Sequence, residues 1–393
     1  MTTPNSGKIK ASDIINEFGS NFATSGNSQR TSLGNYRKIS NDHEKTSNHS
    51  YSSYPHEIGE LSFSSLDGNG TIPTSGNIRL SDFYGTKLQQ VVNFYSSGAG
   101  GNRLNAKSRY NSNGTISGNS KTAGSGEHVV CVGNHRSRPS ESSGTKVHIH
   151  VNQTIGSEKS EKEDVALKTG SGWESGTELR VDVGGEGRIQ GAGGNGGKGS
   201  EGHKNGNPGK FGTAGLGIQY QGTVVSIASG GIVRCGYGGG GGGGGAHDHD
   251  FKSERRVSGG GGGGGAGIPA GNGGGAGTNG EEGNGGAGTD GSANNAGEGG
   301  SEKNSGGSEA ESGKGGHGGD ASESGEGGNS QAEDGFEGEG GEGSGGEGGE
   351  RGARGAAIRR TEGVTFSFAS GTSIPTSSGG NGNNASQAPT GVK

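Results

Sequence analysis

Short stretches in which apolar and polar residues alternate lie between residues 127 and 227, and a period of two is typical of β-strands. The stretches are 127–132, 146–151, 165–167, 178–183 and 223–227, and turns rich in Gly, Ser, Asn and Pro separate them. A later stretch, Val364–Phe368, predicts a closing strand that returns to the same module. The pattern therefore predicts a small all-β module in which Trp173 is the one large apolar anchor.

Hydrophobic residues make up only 23% of the 393 residues, so the chain cannot bury a conventional core along its whole length. Glycine instead supplies 98 residues, several times its usual share of about 7%. This composition excludes most ordinary enzyme folds. The longest apolar runs are three or four residues, so the sequence predicts neither a transmembrane helix nor the hydrophobic region of a signal peptide.

Glycine is concentrated in one part of the chain, and its distribution predicts the domains. There are 22 glycines before residue 184, 70 between residues 184 and 360, and six after that. We therefore expect a mainly β and irregular protein with few or no long α-helices. The predicted parts are an extended N-terminal anchoring arm (1–126), a small β module (127–235), a glycine-rich domain (236–360), and a closing strand with a flexible tail (361–393).

The glycine-rich part is compatible with three states, namely a flexible linker, a collagen triple helix and packed polyglycine II helices. Collagen requires a strict Gly-X-Y repeat and about 15–20% proline, but the block contains only Pro208 and Pro269. Glycine recurs at every third residue from Gly340 to Gly355, a spacing that a flexible linker does not need. We favour a sandwich of polyglycine II helices bonded through their backbones, with the pure runs Gly238–Gly245 and Gly259–Gly265 at its centre. The flexible linker is the alternative.

A short pattern occurs twice near the N-terminus, at Ser6–Ile14 and again at Ser75–Phe83. Each copy predicts an extended Ile, a Ser N-cap, one helical turn with an Asp near its positive end, and a Gly stop. A single turn is not stable alone in water, so we expect these clips to dock on a partner and anchor the arm. The alternative is two coincidental capped turns. The predicted anchoring residues are Ile9, Ser12, Asp13, Phe18, Ile78, Ser81, Asp82, Phe83 and Tyr84.

Residues 246–258 separate the two pure glycine runs and combine aromatic, cationic and anionic side chains. Two antiparallel helices would present this stretch as an exposed loop, and loops on rigid scaffolds commonly carry recognition. We expect a receptor-binding loop; a solvated turn and a metal site of His and Asp are the alternatives. The candidate contact residues are His247, Asp248, His249, Asp250, Phe251, Lys252, Arg255 and Arg256.

Other candidate chemistry is sparse. His148 and His150 lie on one face of a strand and could supply nitrogens to a metal in a threefold fibre, although two surface histidines are the default. No organised catalytic set is evident, so we expect neither an enzyme nor a cofactor. The net charge of −6 argues against general nucleic-acid binding. Cys131 and Cys235 are expected to be free thiols.

Residues 177–246 contain Gly187–Gly197, the strand from Thr223, and the octaglycine run. Together with Gly170–Trp173 they resemble the glycine-rich tips of tailed-phage fibre and tail-tip proteins. The glycine runs broken by variable loops are similar to the sandwich of T-even-like phage adhesins, and Ser81–Gly85 resembles short motifs of phage virion proteins.

The resemblance implies a virion protein, made in the host cytoplasm, that recognises a bacterial surface receptor during adsorption. The receptor would be a protein or a glycan, and the arm would bind other phage tail proteins. A homo-oligomer is left open. The T-even-like adhesins have a different N-terminal attachment domain. Two alternatives are a structural tail or baseplate protein with a glycine-rich decoration, and a secreted glycine-rich matrix or ice-binding protein.

Overall fold

The structure is a computed structural model of the 393-residue chain. It describes residues 4, 6–18, 76–84, 89–96, 104–105, 126–130, 146–151, 154–157, 164–202, 204–250, 253–304, 310–320, 336–337, 344–370 and 372.

Strand is the main regular secondary structure of the described residues, and helix is almost absent, as the sequence predicts. The described residues contain one α-helix, α1 (Ala11–Phe18), and one 3-10 turn, Leu80–Phe83. The strands in chain order are β1 (Gln89–Ser96), β2 (Leu104–Asn105), β3 (Gly126–Val130), β4 (Lys146–Val151), β5 (Thr154–Ile155), β6 (Val165–Lys168), β7 (Glu178–Val183), β8 (Arg188–Gln190), β9 (Ala214–Ile218), β10 (Thr223–Ile227), β11 (Ile232–Arg234), β12 (Ala246–Asp250), β13 (Ser253–Ser258), β14 (Gly283–Asn284), β15 (Ala310–Glu311), β16 (Phe336–Glu337), β17 (Ser344–Gly345), β18 (Ile358–Arg360) and β19 (Phe366–Phe368).

The β module is a three-sided coil, a β-solenoid. From β4 onward, consecutive strands of the module join three sheets in turn, and each strand pairs in parallel with the strand one coil earlier. The three sheets have the orders β19-β10-β7-β4-β1-β3, β11-β8-β5 and β18-β9-β6-β2. Because each coil stacks on the last, the solenoid buries apolar residues between its three walls.

Ladders of equivalent apolar residues fill the solenoid. Ile149, Val181 and Val225 are in register on one wall, and they belong to one buried cluster with similar ladders on the other two walls. Those ladders are Ile155–Ile189–Val233 and Leu167–Leu216–Ile358. Each buried Val, Leu or Ile contributes about 1.5–3 kcal/mol, so the few apolar residues of this chain are concentrated where they stabilise most.

The closing strand predicted near residues 364–368 is present as β19. It pairs in parallel with β10, and Phe366 and Phe368 pack against the buried cluster. Their rings meet edge to face with centroids 5.5 Å apart, a favourable aromatic geometry. The chain therefore returns to the solenoid after the glycine-rich block.

The glycine-rich segments leave the solenoid at one corner, which lies between the wall β11-β8-β5 and the wall β18-β9-β6-β2. The chain passes this corner between Ile155 and Val165 in one coil, between Gln190 and Ala214 in the next, and between Arg234 and Ile358 in the one after. The corner turn of the first coil contacts the longest insertion, because the Ser157 N–H donates to the Ile268 carbonyl at 2.9 Å. The sequence analysis placed residues 191–213 within the β module, but their backbone hydrogen bonds are those of the glycine-rich block.

Backbone hydrogen bonds with a period of three residues join the glycine-rich segments into a bundle that we call the glycine lattice. For example, the N–H groups of Gly194, Gly197 and Ser200 donate to carbonyls exactly three residues apart on the next segment, at 237, 240 and 243. This period is the one expected of packed helices with three residues per turn. The described segments are 191–200, 204–213, 235–245, 259–267, 271–278, 285–291, 297–302, 313–319 and 346–356.

Six neighbouring segments surround the run Gly259–Gly265. All seven N–H groups and all seven carbonyls of this run have hydrogen-bond partners, at 2.7–3.1 Å. The neighbours are 191–200, 235–245, 271–278, 285–291, 297–302 and 313–319. A segment bonded on every side has no direction in which a side chain could point, which is why the run is pure glycine.

The run Gly238–Gly245 is a second centre. It exchanges backbone hydrogen bonds with five described segments, namely 191–200, 204–213, 259–267, 313–319 and 346–356. The two centres are themselves bonded, since the N–H groups of Gly240 and Gly243 donate to Gly263 and Gly260. The central position expected for both pure runs is therefore observed.

Neighbouring backbones in the lattice approach too closely for any side chain between them. A Cβ added to Gly262 would lie 2.1 Å from the carbonyl oxygen of Gly240. By contrast, Gly275 faces outward, and its added Cβ would meet only the Cγ of Lys198 at 4.0 Å. Glycine is thus required at inward positions, while outward positions are open to the Asn, Lys and Glu that the sequence places there.

Part of the predicted arm belongs to the solenoid. Strand β1, within residues 1–126, pairs in parallel with β4 and in antiparallel with β3. Alternation of polar and apolar residues is weak in Gln89–Ser96, so the residue pattern did not predict this strand. Neither helix in the described part of the chain is long and apolar enough to cross a membrane.

We predict that Gly262→Ala destabilises the protein far more than Gly275→Ala. The first substitution forces two backbones apart, and overpacking of this kind costs about 1–3 kcal/mol. The second fills open space and restricts the unfolded chain, so it changes stability by less than about 1 kcal/mol. Denaturant unfolding of both variants measures the difference, and equal stabilities would contradict the lattice packing.

Candidate functional site

Successive segments of the lattice run alternately away from the solenoid (outgoing) and back towards it (returning). The connections from an outgoing to a returning segment gather at the end away from the solenoid, which we call the distal end. Strands β12, β13, β14 and β17 come from three of these connections and form one four-stranded sheet. β15 and β16 pair with each other beside β12. A bridge between Glu201 and Thr278 adds the connection near residue 201. Five connections therefore share this end in the described residues.

The stretch between the two pure glycine runs, for which we expected an exposed loop, is a β-hairpin. β12 and β13 pair in antiparallel from Ala246 opposite Val257 to Asp250 opposite Ser253. Ala246 and Val257 are buried against Ala310. The hairpin forms because two adjacent antiparallel lattice segments deliver their ends side by side, so their continuations are already at pairing distance.

The predicted contact residues of this hairpin have different surroundings. His247, Arg255 and Arg256 are half-buried on the paired strands. Asp248, His249 and Asp250 lie on β12, opposite Arg255, Glu254 and Ser253 respectively. Phe251 and Lys252, at the tip of the hairpin, lie outside the described residues.

The turn after residue 278 stands next to the hairpin, since β14 pairs in parallel with β13. The Asn284 carboxamide oxygen accepts from the Ser258 hydroxyl at 2.7 Å and from the Gly280 N–H at 3.1 Å. Asn279 has a left-handed backbone, with φ 62°, which Asn tolerates better than most residues. These contacts hold the exposed Glu281 and Glu282 beside β13.

Ion pairs decorate the edge of the distal end. Glu201 lies 3.6 Å from the Lys198 ammonium and 3.7 Å from that of Lys204, and Glu302 lies 3.2 Å from that of Lys314. Exposed pairs of this kind contribute about 0–1 kcal/mol each. Their main effect is to give the surface a mixed pattern of charge.

Two arginines clamp the other end of the lattice to the solenoid. Arg188 donates to the Asn294 side-chain oxygen at 2.7 Å and to the Ala293 carbonyl at 3.0 Å, and Arg234 donates to the same Asn294 oxygen at 3.2 Å. Burial and the neighbouring Arg234 lower the pKa of Arg188 to about 10, so the side chain is still charged at neutral pH. The clamp fixes the turn at 292–296 on the outer face of β8 and β11.

The two N-terminal repeats contact each other. The Tyr84 hydroxyl of the second repeat donates to the Gly7 carbonyl of the first. Ile9, Ile14 and Phe83 are buried, and Ile78 and Tyr84 are half-buried. Of the predicted anchoring residues, Ser12 and Ser81 are exposed, and the Phe18 side chain lies outside the described residues.

The predicted Ser N-caps of these repeats were wrong. Asp13 and Asp82 each accept a hydrogen bond from the backbone N–H three residues earlier, at Lys10 (2.8 Å) and Arg79 (2.7 Å). Ser12 and Ser81 lie inside the helical turns. An Asp at the third helical position can therefore cap the N-terminus by itself.

His148 and His150 were considered as metal ligands, with two surface histidines as the default. They lie on β4, between β1 and β7. Arg180 is in register with His148, and Asp182 with His150, and Arg180 is bonded to Asp182 at 2.7 Å. The described residues contain no group of three or more side chains that could hold a metal ion.

Three parts of the distal end escaped the sequence analysis. These are the turn at 201–205 and the strands β15 and β17. The available signal was segment length, because the described lattice segments hold six to eleven residues and a break in the glycine spacing after such an interval marks a connection.

Cys235 begins the outgoing segment that leaves β11, and it is a buried free thiol. Burial raises the pKa of this thiol to about 11. Cys131, the other cysteine, lies outside the described residues.

Comparison with known proteins gives one structural likeness. A crystal structure described as the gp37-gp38 adhesin tip complex of the bacteriophage S16 long tail fiber aligns with 76% of this chain and 86% of its own, at 18% identity and a TM-score of 0.31. No protein-family model matches the sequence, and no curated protein is similar to it.

We predict that Cys235 does not react with a thiol reagent at pH 8 in the folded protein. With a pKa near 11, only about 0.1% of the thiol is ionised at that pH. The assay uses a Cys131→Ser variant, so that one thiol is counted, and the unfolded protein in urea is the positive control. Rapid reaction in the folded state would contradict the burial.

The raised pKa of Cys235 also makes the free energy of unfolding depend on pH. Because the folded state holds the proton more tightly, the stabilisation is complete below the ordinary thiol pKa near 8.5. It is lost as the pH rises towards about 11. Cys235→Ala should remove this contribution to the alkaline loss of stability.

Proposed function

We propose that this chain is a tail-tip protein of a bacterial virus, and that the distal end of its glycine lattice binds a receptor on the host surface. The receptor would be a protein or a glycan. The proposal includes no enzymatic step and no cofactor. The protein would be made in the host cytoplasm and carried in the virion tail.

The observation that carries the proposal is the collection of five connections at one end of a rigid bundle. Every backbone group of the central run Gly259–Gly265 is bonded to a neighbouring segment, so the segments beneath the connections cannot shift independently. A surface that is already ordered loses little conformational entropy when it binds. The lattice is therefore suited to presenting short, variable connections for recognition.

The composition of the distal end fits a recognition surface. The hairpin contributes Arg255 and Arg256, and Phe251 follows β12 directly in the sequence. Aromatic and Arg residues are frequent binding anchors. The neighbouring turn adds Glu281 and Glu282. Opposite charges close together favour a partner with a defined arrangement of polar groups.

Attachment to the tail is assigned to the N-terminal part of the chain. The glycine pattern of residues 177–246 and the motif at Ser81–Gly85 resemble those of phage tail proteins. The resemblance supports a place on the tail, and the paired repeats supply a compact element that a tail protein could hold.

Mass spectrometry of purified particles tests the place of the protein. We expect the chain among the structural proteins of the virion. If particles that contain every other tail protein lack this chain, the tail-tip proposal fails.

We predict that replacing Phe251, Arg255 and Arg256 together by Ala reduces adsorption to the host at least tenfold without reducing the amount of protein in the particles. Arg255 and Arg256 lie on β13, and Phe251 falls in the sequence between β12 and β13, whereas the lattice is held by backbone bonds. Adsorption assays on assembled mutant particles measure the effect.

A matched control is the replacement of Phe211, Lys210 and Arg351 by Ala, which also removes one aromatic and two cationic side chains. These residues lie on the side of the lattice, so we expect normal adsorption. Normal adsorption by the hairpin variant, or equal losses in both variants, would rule out the hairpin as the receptor site.

A further inference from the structure

The two N-terminal repeats have the same geometry in detail. Gly7 and Gly76, with φ of 85° and 79°, take the left-handed conformation at equivalent places. In both repeats the Asp carboxylate is bonded to the N–H three residues earlier. With the Tyr84–Gly7 hydrogen bond, the two copies form one element, which we call the paired repeats (residues 6–18 and 76–84).

The largest apolar side chains of the repeat pattern are buried within this chain. Phe83 is 0% exposed and Ile14 is 1% exposed. Asp13 and Asp82 each accept a hydrogen bond from a backbone N–H group through Oδ2. Ile14 and Phe83 are therefore not the residues through which a partner would contact the paired repeats.

Among the described residues of the paired repeats, the exposed charged side chains are all cationic, and one large apolar side chain is also exposed. Lys8, Lys10 and Arg79 are exposed. Leu80, at 39% exposure, is one of two large hydrophobic residues found exposed in the described chain. Lys10 and Arg79 occupy equivalent positions in the two repeats, directly before each helical turn.

The charge of this part of the chain is opposite to that of the rest. Residues 1–126 contain 12 Lys and Arg against 8 Asp and Glu, whereas the whole chain has 34 against 40. The paired repeats themselves contain three basic and three acidic residues. Asp13 and Asp82 are bonded to backbone N–H groups, whereas Lys8, Lys10 and Arg79 are exposed. These exposed cations favour an acidic partner.

We propose that the paired repeats bind an acidic segment of the tail protein that carries this chain, through Lys10, Arg79 and the apolar side chain of Leu80. The inference rests on the proposed function, because it concerns the attachment of the chain to the tail. It assigns attachment to exposed cations rather than to the buried Ile and Phe of the repeat pattern.

The test measures binding of the full-length protein to purified tails that were assembled without it. The variant Lys10→Glu with Arg79→Glu should bind at least tenfold more weakly than wild type in 0.1 M NaCl. Wild-type binding should weaken as salt is raised, because screening reduces attraction between exposed charges. Leu80→Ser should weaken binding to a similar extent at low and high salt.

Two controls keep the test decisive. Lys210→Glu with Arg351→Glu makes the same charge change on the side of the lattice, and it should bind like wild type. Lys10→Gln with Arg79→Gln removes the charges without reversing them, and it should give an intermediate loss. All variants are compared at unchanged unfolding temperature.

The outcomes separate the two proposals. If wild-type protein neither occurs in particles nor binds the tails, the proposed function fails. If wild-type protein binds but the charge-reversed variant binds equally well, the attachment through Lys10 and Arg79 is wrong and the tail-tip function stands. Equal losses in the lattice control, or binding that does not depend on salt, would also overturn the inference.

Discussion

The contact of one peptide backbone with another, without side chains between them, is the interaction on which this structure depends. In the run Gly259–Gly265 every N–H and every carbonyl is bonded to a neighbouring segment. Such contact requires glycine, because a Cβ at Gly262 would lie 2.1 Å from a carbonyl oxygen. Glycine is costly to order, and the complete set of hydrogen bonds offsets that cost without a hydrophobic core.

The solenoid and the lattice are stabilised by different interactions. The solenoid holds the principal apolar cluster, in ladders such as Ile155–Ile189–Val233. The described part of the lattice contains only small clusters of buried apolar side chains, such as that of Cys235, Tyr237 and Ala266. The solenoid fixes where each lattice segment starts and ends, and the Arg188–Asn294 contact ties a returning turn to its wall.

The sequence was most informative where one local rule decided the outcome. The predicted strands 146–151, 178–183 and 223–227 have the observed boundaries, because alternation is strict there. The central place of the pure glycine runs followed from their lack of side chains. The three-sided coil was not predictable, since β5, β8 and β11 contain only two or three residues, which is too short for a period of two to be visible.

The candidate site was predicted only in part, for a similar reason. The position of residues 246–258 between two glycine runs indicated an end of the lattice. The hairpin itself has no apolar alternation in its charged part, and it forms because the lattice brings Ala246 and Val257 opposite each other. In the same way, the caps of the N-terminal repeats depend on where the turn begins, which decides between Ser12 and Asp13.

The single corner at which all insertions leave the solenoid has a consequence for how such a protein can change over generations. Each insertion leaves the solenoid after one strand and returns at the start of the next. A pair of lattice segments can therefore be gained or lost while the coils on either side keep their register. Within a segment, adding three residues moves its distal connection outward by about 9 Å and leaves each row of backbone groups facing the same neighbour. Recombination between glycine tracts that are multiples of three apart therefore exchanges surface loops and preserves the frame that carries them.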